Sequence, residues 1–302
     1  MEYSEHINLL IKRAHLPSDG EQYLTTALQK ILPEFEPEIA AMVTRFYDSG
    51  FKIDAISEKR DFISQRSGVD PLTVNFIFFA AASKRMLEDY LKEGICEQIF
   101  WDTILDLRCK LLECSAYKGV YGIFTEHWYT LFYPLKLFRL GRLEFEKTVY
   151  PSDRKEYRFM DAVIKPGDFV LSVHIPSGEP LLKELRIKSY KSAFDFFKKE
   201  RAGGPLKCIC HSWLLYSDNK KIFPNNLNIV DFMNDFDITE SFDTKFTECW
   251  RLFSCDYDGN PDNLPQNTTQ QRAMVKWLRQ GGKVGVGFGV LIFDGERIIN
   301  RP

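Results

Sequence analysis

The spacing of apolar residues changes once along this chain, near residue 120, and that change leaves room for one broad architecture. From about 22 to 118 the apolar side chains recur every three or four residues, most plainly at Phe76, Phe79, Ala80, Leu87, Tyr90 and Leu91, which is the stripe of an amphipathic helix. Asp70 and Pro71 supply its N-cap and first turn, and Gly94 its stop. Cys96, Ile99, Phe100, Thr103, Ile104, Leu107 and Leu111 repeat the pattern, so the spacing predicts two long antiparallel helices joined by a tight turn. Shorter helices are expected over about 22–32, 36–48 and 57–66.

Beyond about 120 the pattern turns to short β-type runs broken by Gly, Pro, Asn and Asp: LKLFRLGRLEFEKTVY, DFVLSVHIP, LKCICHSWLLY, TECWRLFSCDY and KVGVGFGVLIF. Between the second and third lies SYKSAFDFFKKE, whose Tyr190, Ala193, Phe194 and Phe197 share a helical face. Strand, helix and strand in that order make a βαβ crossover, so DFVLSVHIP and LKCICHSWLLY are predicted to be parallel neighbours. TTQQRAMVKWLRQGG reads as a later helix stopped by Gly281 and Gly282. The predicted class is α+β: a helical N-terminal domain over 1–120, then a mixed-sheet α/β domain over 121–302.

Composition narrows the function classes. A chain of 302 residues, 44% hydrophobic, can fill two cores. Its 40 basic and 42 acidic residues leave a net charge of −2, so no bulk field draws it to nucleic acid or an anionic membrane. The N-terminal MEYSEHINLL lacks the basic start and apolar run of a signal peptide. The longest apolar stretch, Phe76 to Ala82, falls far short of the ~18 residues a span requires. Seven cysteines, an odd number in a core-rich chain, suit free thiols in the cytoplasm better than a disulfide framework.

Candidate chemistry gathers in the second half. His174 and His211 stand near the C-terminal ends of the two runs paired as parallel strands, where open α/β sheets bind ligands. Cys208, Cys210 and His211 suggest a metal, but strand alternation sends the cysteines to one face and the histidine to the other, and no second pair completes a site. The expectation is no metal. A Cys210 nucleophile beside His174 is a further possibility that the residues leave open. Gly285, Gly287 and Gly289 alternate in the last run without a following helix, a pattern of close backbone approach rather than a phosphate loop. In HIPSGEPLLKE a strand hands over to a helix through Ser177 and Gly178, the better anion site. Glu144 and Glu146, two apart in a strand, share a face as candidate acid/base carboxylates.

FRLGRLEFE (138–146), VLSVHIPSGEPL (170–181), CHSWLLY (210–216), NLNIVDF (226–232) and LPQNTTQQRAMVKWLRQGG (264–282) together resemble, in order, the motifs of a bacterial family of acyltransferases. Its members join a helical N-acyltransferase N-terminal domain to a GNAT-like C-terminal domain. The resemblance implies an acyl-CoA-dependent N-acyltransferase, with acetyl-CoA or another acyl-CoA as co-substrate and a small-molecule amine as acceptor. It implies that acyl-CoA lies where two central parallel strands splay, its pyrophosphate held by the loop after the first, here 176–182. Pro176 and Pro180 offer no N–H, so the expected donors are Ser177, Gly178, Glu179, Leu181 and Leu182. This loop differs from the usual GNAT pattern of Gln or Arg, x, x, Gly, x, Gly or Ala, having one Gly and two Pro. Glu179 adds a charge of the wrong sign, worth up to about 4 kcal/mol of repulsion at ~4 Å and a dielectric of ~20, unless it turns away or pairs with Lys183. His174 is the expected base, with His211 or Glu146 in reserve. Two other readings stay open: a non-catalytic GNAT-like module that binds a small molecule or a protein, and a hydrolase using Cys210.

Overall fold

The computed structural model describes residues 2–301, which divide into two compact units meeting at Phe138 and Arg139. The first is helical, with α1 (Tyr3–Ala14), α2 (Ser18–Asp48), α3 (Asp54–Ser67), α4 (Pro71–Lys92), α5 (Glu97–Ile104) and α6 (Asp106–Lys118). Helix α4 has the predicted ends: the Asp70 side chain accepts the Leu72 N–H at 2.8 Å, and Gly94 takes a left-handed φ of 69°. Its Phe76 to Ala82 run is buried on every side, as a central helix must be.

Three helical expectations are corrected. The separate helices over 22–32 and 36–48 are one helix, which continues through Pro33 and Pro37. Each proline removes a backbone donor, but Leu28, Ile31, Phe35, Ile39 and Met42 keep one buried stripe across both, and that packing holds the helix together. The predicted second long helix is broken at Leu105 into α5 and α6. Helix α1, absent from the expectation, buries Ile7, Leu10 and Ile11.

The helical unit also runs past 120. Thr73 and Asn75 of α4 donate side-chain hydrogen bonds to the carbonyls of Tyr121 and Ile123, at 2.9 and 3.1 Å. Tyr133 donates to the Phe79 carbonyl at 2.7 Å, and Tyr129 and Tyr133 lie against the Phe79 ring. These contacts draw residues 121–138 onto α4.

The second unit is built on a six-stranded sheet of order β1-β2-β5-β6-β8-β7. Its strands are β1 (Leu137–Leu140), β2 (Leu143–Val149), β5 (Phe169–His174), β6 (Leu206–Ser212), β7 (Asp237–Thr244) and β8 (Val284–Phe293); β3 (Tyr157–Phe159) and β4 (Ala162–Ile164) form a separate hairpin. Helix α7 (Lys183–Phe196) makes the expected crossover, and β5 and β6 are parallel. Tyr190 of α7 packs against Phe145 and Phe293, which defines the helix-covered face. The opposite face carries Val170, Ile209, Phe288, Val290 and Ile292, packed with Tyr157 and Ile164 of the β3–β4 hairpin. A third cluster forms around α8 (Asn219–Ile222), α9 (Asn228–Met233), α10 (Trp250–Phe253) and α11 (Thr269–Arg279).

The run TECWRLFSCDY is not a strand. It holds α10, because Cys249 and Phe253, four apart, both reach the core beside Met274 and Leu264, and a short apolar run fits either period. Strand β7, in contrast, was invisible in DITESFDT. Its outer residues are exposed, and pairing with β8 makes it a strand. The alternating glycines of β8 admit close packing: a Cβ on Gly287 would strike the Leu215 backbone, and one on Gly289 would lie 2.8 Å from Phe236. No described helix is long and apolar enough to cross a membrane.

One buried histidine makes the stability of the helical unit depend on pH. His6 has no exposed surface, bonds Ser83 Oγ through Nε2 at 2.8 Å and stacks on Trp101. Burial, helped by the charge of Lys84, lowers its pKa to about 4. The unfolded imidazole titrates near 6.5, so between those values the unfolded chain binds the extra proton. Stability is therefore full above about pH 6.5 and falls as pH drops toward about 4, by at most ~3 kcal/mol. Urea midpoints across this range should show a steeper decline in the wild type than in His6→Gln.

Candidate functional site

The site begins where the sheet divides. The parallel ladder between β5 and β6 is two residue pairs long, Leu171↔Cys208 and Ser172↔Ile209. Each strand then stays with its outer neighbour: β5 pairs with β2 as far as His174↔Glu144, and β6 pairs with β8 through Ser212↔Gly287. The sheet thus splits into two arms, β1-β2-β5 and β6-β8-β7, beyond Ser172 and Ile209.

Strand alternation then decides what stands at the split. His174 lies two residues beyond Ser172 and His211 two beyond Ile209, so both occupy the same face at matching positions, one on each arm. Glu146 pairs in register with Ser172, and its Oε2 lies 2.8 Å from His174 Nε2, with both side chains about three-quarters buried or more. Two of the predicted catalytic residues are therefore a bonded pair. Glu144 stands opposite His174 on the same face and is buried. On the other arm, His211 is exposed beside the rings of Phe242 and Phe288, and the Arg154 guanidinium covers Phe288 at 3.9 Å and pairs with Glu240.

An ionised carboxylate only accepts hydrogen bonds. With Glu146 ionised, Nε2 carries the His174 proton, and Nδ1 is the nitrogen with the basic lone pair. A carboxylate that fixes the tautomer and orientation of an imidazole is a common device for a general base.

The loop after β5 follows directly on His174 and leads into α7. Gly178 takes a φ of 98°, and Ser177 to Glu179 form a bend before α7. Arg142, in the turn between β1 and β2, donates to the carbonyls of Glu179 at 2.7 Å and Pro180 at 3.2 Å. Arg186, in the second turn of α7, donates to the Leu181 carbonyl at 2.6 Å. Of the two ways out for Glu179, turning away or pairing with Lys183, neither is needed: its carboxylate faces Arg139 at 3.6 Å, so a cation meets the charge that the sequence set against an anionic ligand. Helix α7 has Leu182 as its N-cap, which gives no side-chain cap hydrogen bond, and helix geometry leaves its first-turn N–H groups without intrahelical acceptors.

The arginines are the residues that sequence reasoning missed. Arg186 did leave a signal: it stands four residues before Tyr190 on the buried stripe of α7, where a charged side chain is out of place, and it is fully buried. Its Nε and Nη2 donate to Asp235 at 2.6 and 3.2 Å, and Nη2 also to Asp231 at 2.8 Å. Burial works against its charge, but the hydrogen bonds that it donates to Asp235, with the charge of that carboxylate, outweigh burial and hold the guanidinium above its ordinary value. Arg142 sits in a Gly-Arg turn that gives no such hint.

Comparison with known proteins agrees with this fold. Residues 5–135 match the N-acyltransferase N-terminal domain, and residues 137–291 match the GNAT-like C-terminal domain. None of the curated proteins matches the sequence. Among solved structures, an acyltransferase variant in complex with octanoyl-CoA superposes with a TM-score of 0.72 at 19% identity, covering 96% of this chain and 88% of its own. An acyltransferase in complex with decanoyl-CoA and teicoplanin gives 0.71 at 19% identity over the same shares. A complex with CoA and 10C-teicoplanin gives 0.71 at 19% identity, over 94% and 86%.

The reading of Cys210 as a nucleophile beside His174 is overturned. Cys208 and Cys210 lie on the α7 face, opposite His174, with no exposed surface. Burial pushes the Cys210 thiol up to about 12, and a thiol so placed is inert. Iodoacetamide should alkylate exposed Cys96 in the native protein and leave Cys208 and Cys210 unmodified until the chain is unfolded, as peptide mass spectrometry will show.

Proposed function

We propose that this chain, which belongs to the family joining an N-acyltransferase N-terminal domain to a GNAT-like C-terminal domain, moves an acyl group from acyl-CoA to an amine. The observation that carries this reading is the split between β5 and β6, with a bonded Glu146–His174 pair on one lip and an uncapped helix following the same strand. A thioester lying in the split would meet the imidazole on one face. Its pantetheine amides would meet strand edges that no longer pair with each other.

In the reaction, the amine nitrogen attacks the thioester carbonyl, a C–N bond forms, the C–S bond breaks and CoA leaves as thiolate. His174 Nδ1 takes a proton from the substrate ammonium and so frees the attacking lone pair, and the proton that the nitrogen sheds after attack passes to the departing thiolate, while Glu146 holds the Nε2–H and so the orientation of the ring. Loop 176–182 and the start of α7 receive the pyrophosphate, since backbone N–H groups and the positive end of a helix dipole favour an anion. The solved neighbours hold octanoyl-CoA, decanoyl-CoA or CoA, and two of them hold a teicoplanin. These support a medium-chain acyl-CoA as the first donor to try.

Two measurements test this. At 100 times its dissociation constant, a ligand specific to the native state stabilises by about 2.7 kcal/mol, so acetyl-, octanoyl- or decanoyl-CoA should raise the melting temperature. His174→Ala should lower acyl transfer by roughly 10²–10⁴-fold while CoA still raises the melting temperature. Glu146→Gln should lose less. If no acyl-CoA shifts the melt, the chain is a binding module for another ligand. If CoA binds and His174→Ala retains full activity, the base lies elsewhere.

A further inference from the structure

We propose that Arg142 and Arg186 are positioning residues for the donor's diphosphate: by holding three consecutive loop carbonyls inward they turn the amides behind them outward. This rests on the acyl-CoA reading above. Arg142 is only 5% exposed and bonds the carbonyls of Glu179 and Pro180. Its own backbone N–H donates to Ser189 Oγ at 2.8 Å, which ties the β1–β2 turn to α7. Arg186 bonds the next carbonyl, that of Leu181, and is itself held by Asp235 and Asp231. Asp235 is in turn fixed by the Tyr190 hydroxyl at 3.1 Å and by Arg301 at 2.9 Å.

The consequence for the amides follows from the peptide group. In a planar trans peptide the C=O and the following N–H point in opposite directions, and no cis peptide occurs among the described residues. Pro180 carries no N–H, so the bond to the Glu179 carbonyl fixes the loop without turning a donor. The bonds to the Pro180 and Leu181 carbonyls turn the N–H groups of Leu181 and Leu182 away from the arginines. These two amides continue into the first turn of α7, at Lys183, Glu184 and Leu185, where helix geometry leaves N–H groups without intrahelical acceptors. A glycine-rich loop gets its amides into line through conformational freedom. Here, with one glycine between two prolines, anchored carbonyls do the same and fix the orientation before the ligand arrives.

Arg142 is the residue to change, since removing Arg186 would take from the buried Asp235 its fully buried cation and leave it with Arg301 alone of the two. CoA and pantetheine, which lacks the diphosphate, are titrated calorimetrically into wild type, Arg142→Ala and Arg142→Lys, alongside steady-state kinetics with acyl-CoA. Arg142→Ala should weaken CoA binding by about tenfold or more, as loss of charge-assisted hydrogen bonds does. Pantetheine should bind within about twofold of wild type in every variant. Arg142→Lys should recover part of the CoA affinity, and the kinetic loss should fall on KM for acyl-CoA and not on kcat. CoA affinity unchanged in Arg142→Ala, or CoA and pantetheine weakened alike, overturns the proposal. If Arg142→Ala does not fold, Arg142→Lys and Arg142→Gln carry the same comparison. Wild type that fails to bind CoA removes the acyl-CoA reading itself, whereas wild type that binds beside an unaffected Arg142→Ala removes only the role of Arg142.

Discussion

Two parallel strands joined over only two residue pairs are under competing demands. β5 is held by β2 along its full length and β6 by β8 along its own, and antiparallel ladders are the stronger kind per residue. Past Ser172 and Ile209 each strand follows its outer partner, and the backbone groups facing the gap are left to find partners outside the sheet. Both histidines, the loop and the helix start lie at this division. His174 ends β5, the loop and α7 follow directly, and His211 lies at the matching point of β6.

The charges around the division are arranged by sign. On the sheet face opposite α7, carboxylates Glu144 and Glu146 gather around His174. On the α7 side of the loop, Arg139, Arg142 and Arg186 meet its carbonyls and the Glu179 carboxylate. The buried Arg186–Asp235 pair would be weak evidence of stability alone, because desolvating two charges offsets most of their attraction. Its geometry matters more: it fixes a guanidinium whose remaining N–H groups reach Leu181 in one direction and Asp231 in another.

Much of this was legible in the residues. Helices α4, α7 and α11, the βαβ crossover and β8 all declare themselves through period, caps and glycine stops, since each buries a face that its own sequence marks. The elements that escaped draw their structure from neighbours: β7 from the free edge of β8, α2's continuity from the stripe packed beneath two prolines, α10 from the core it anchors. In the site, His174, His211 and Glu146 were separately visible as candidates. Their shared face follows from strand alternation once the register is known, and register depends on pairing between strands far apart in sequence.

By itself, then, the sequence determined a helical half and a mixed-sheet half, a parallel crossover, and which polar side chains stand near the strand ends, because these are matters of local period and turn chemistry. Only the tertiary structure decided that the β5–β6 ladder stops after two pairs, that Glu146 reaches His174, that Cys210 is sealed on the far face, and that Arg142 and Arg186 grip the loop. Each of these joins residues distant in the chain, from 28 apart for Glu146 and His174 to 37 for Arg142 and Glu179, or, for Arg186 and Leu181, turns a side chain back on its own loop. No local pattern encodes such contacts, since they exist only when the strands and the crossover helix have packed.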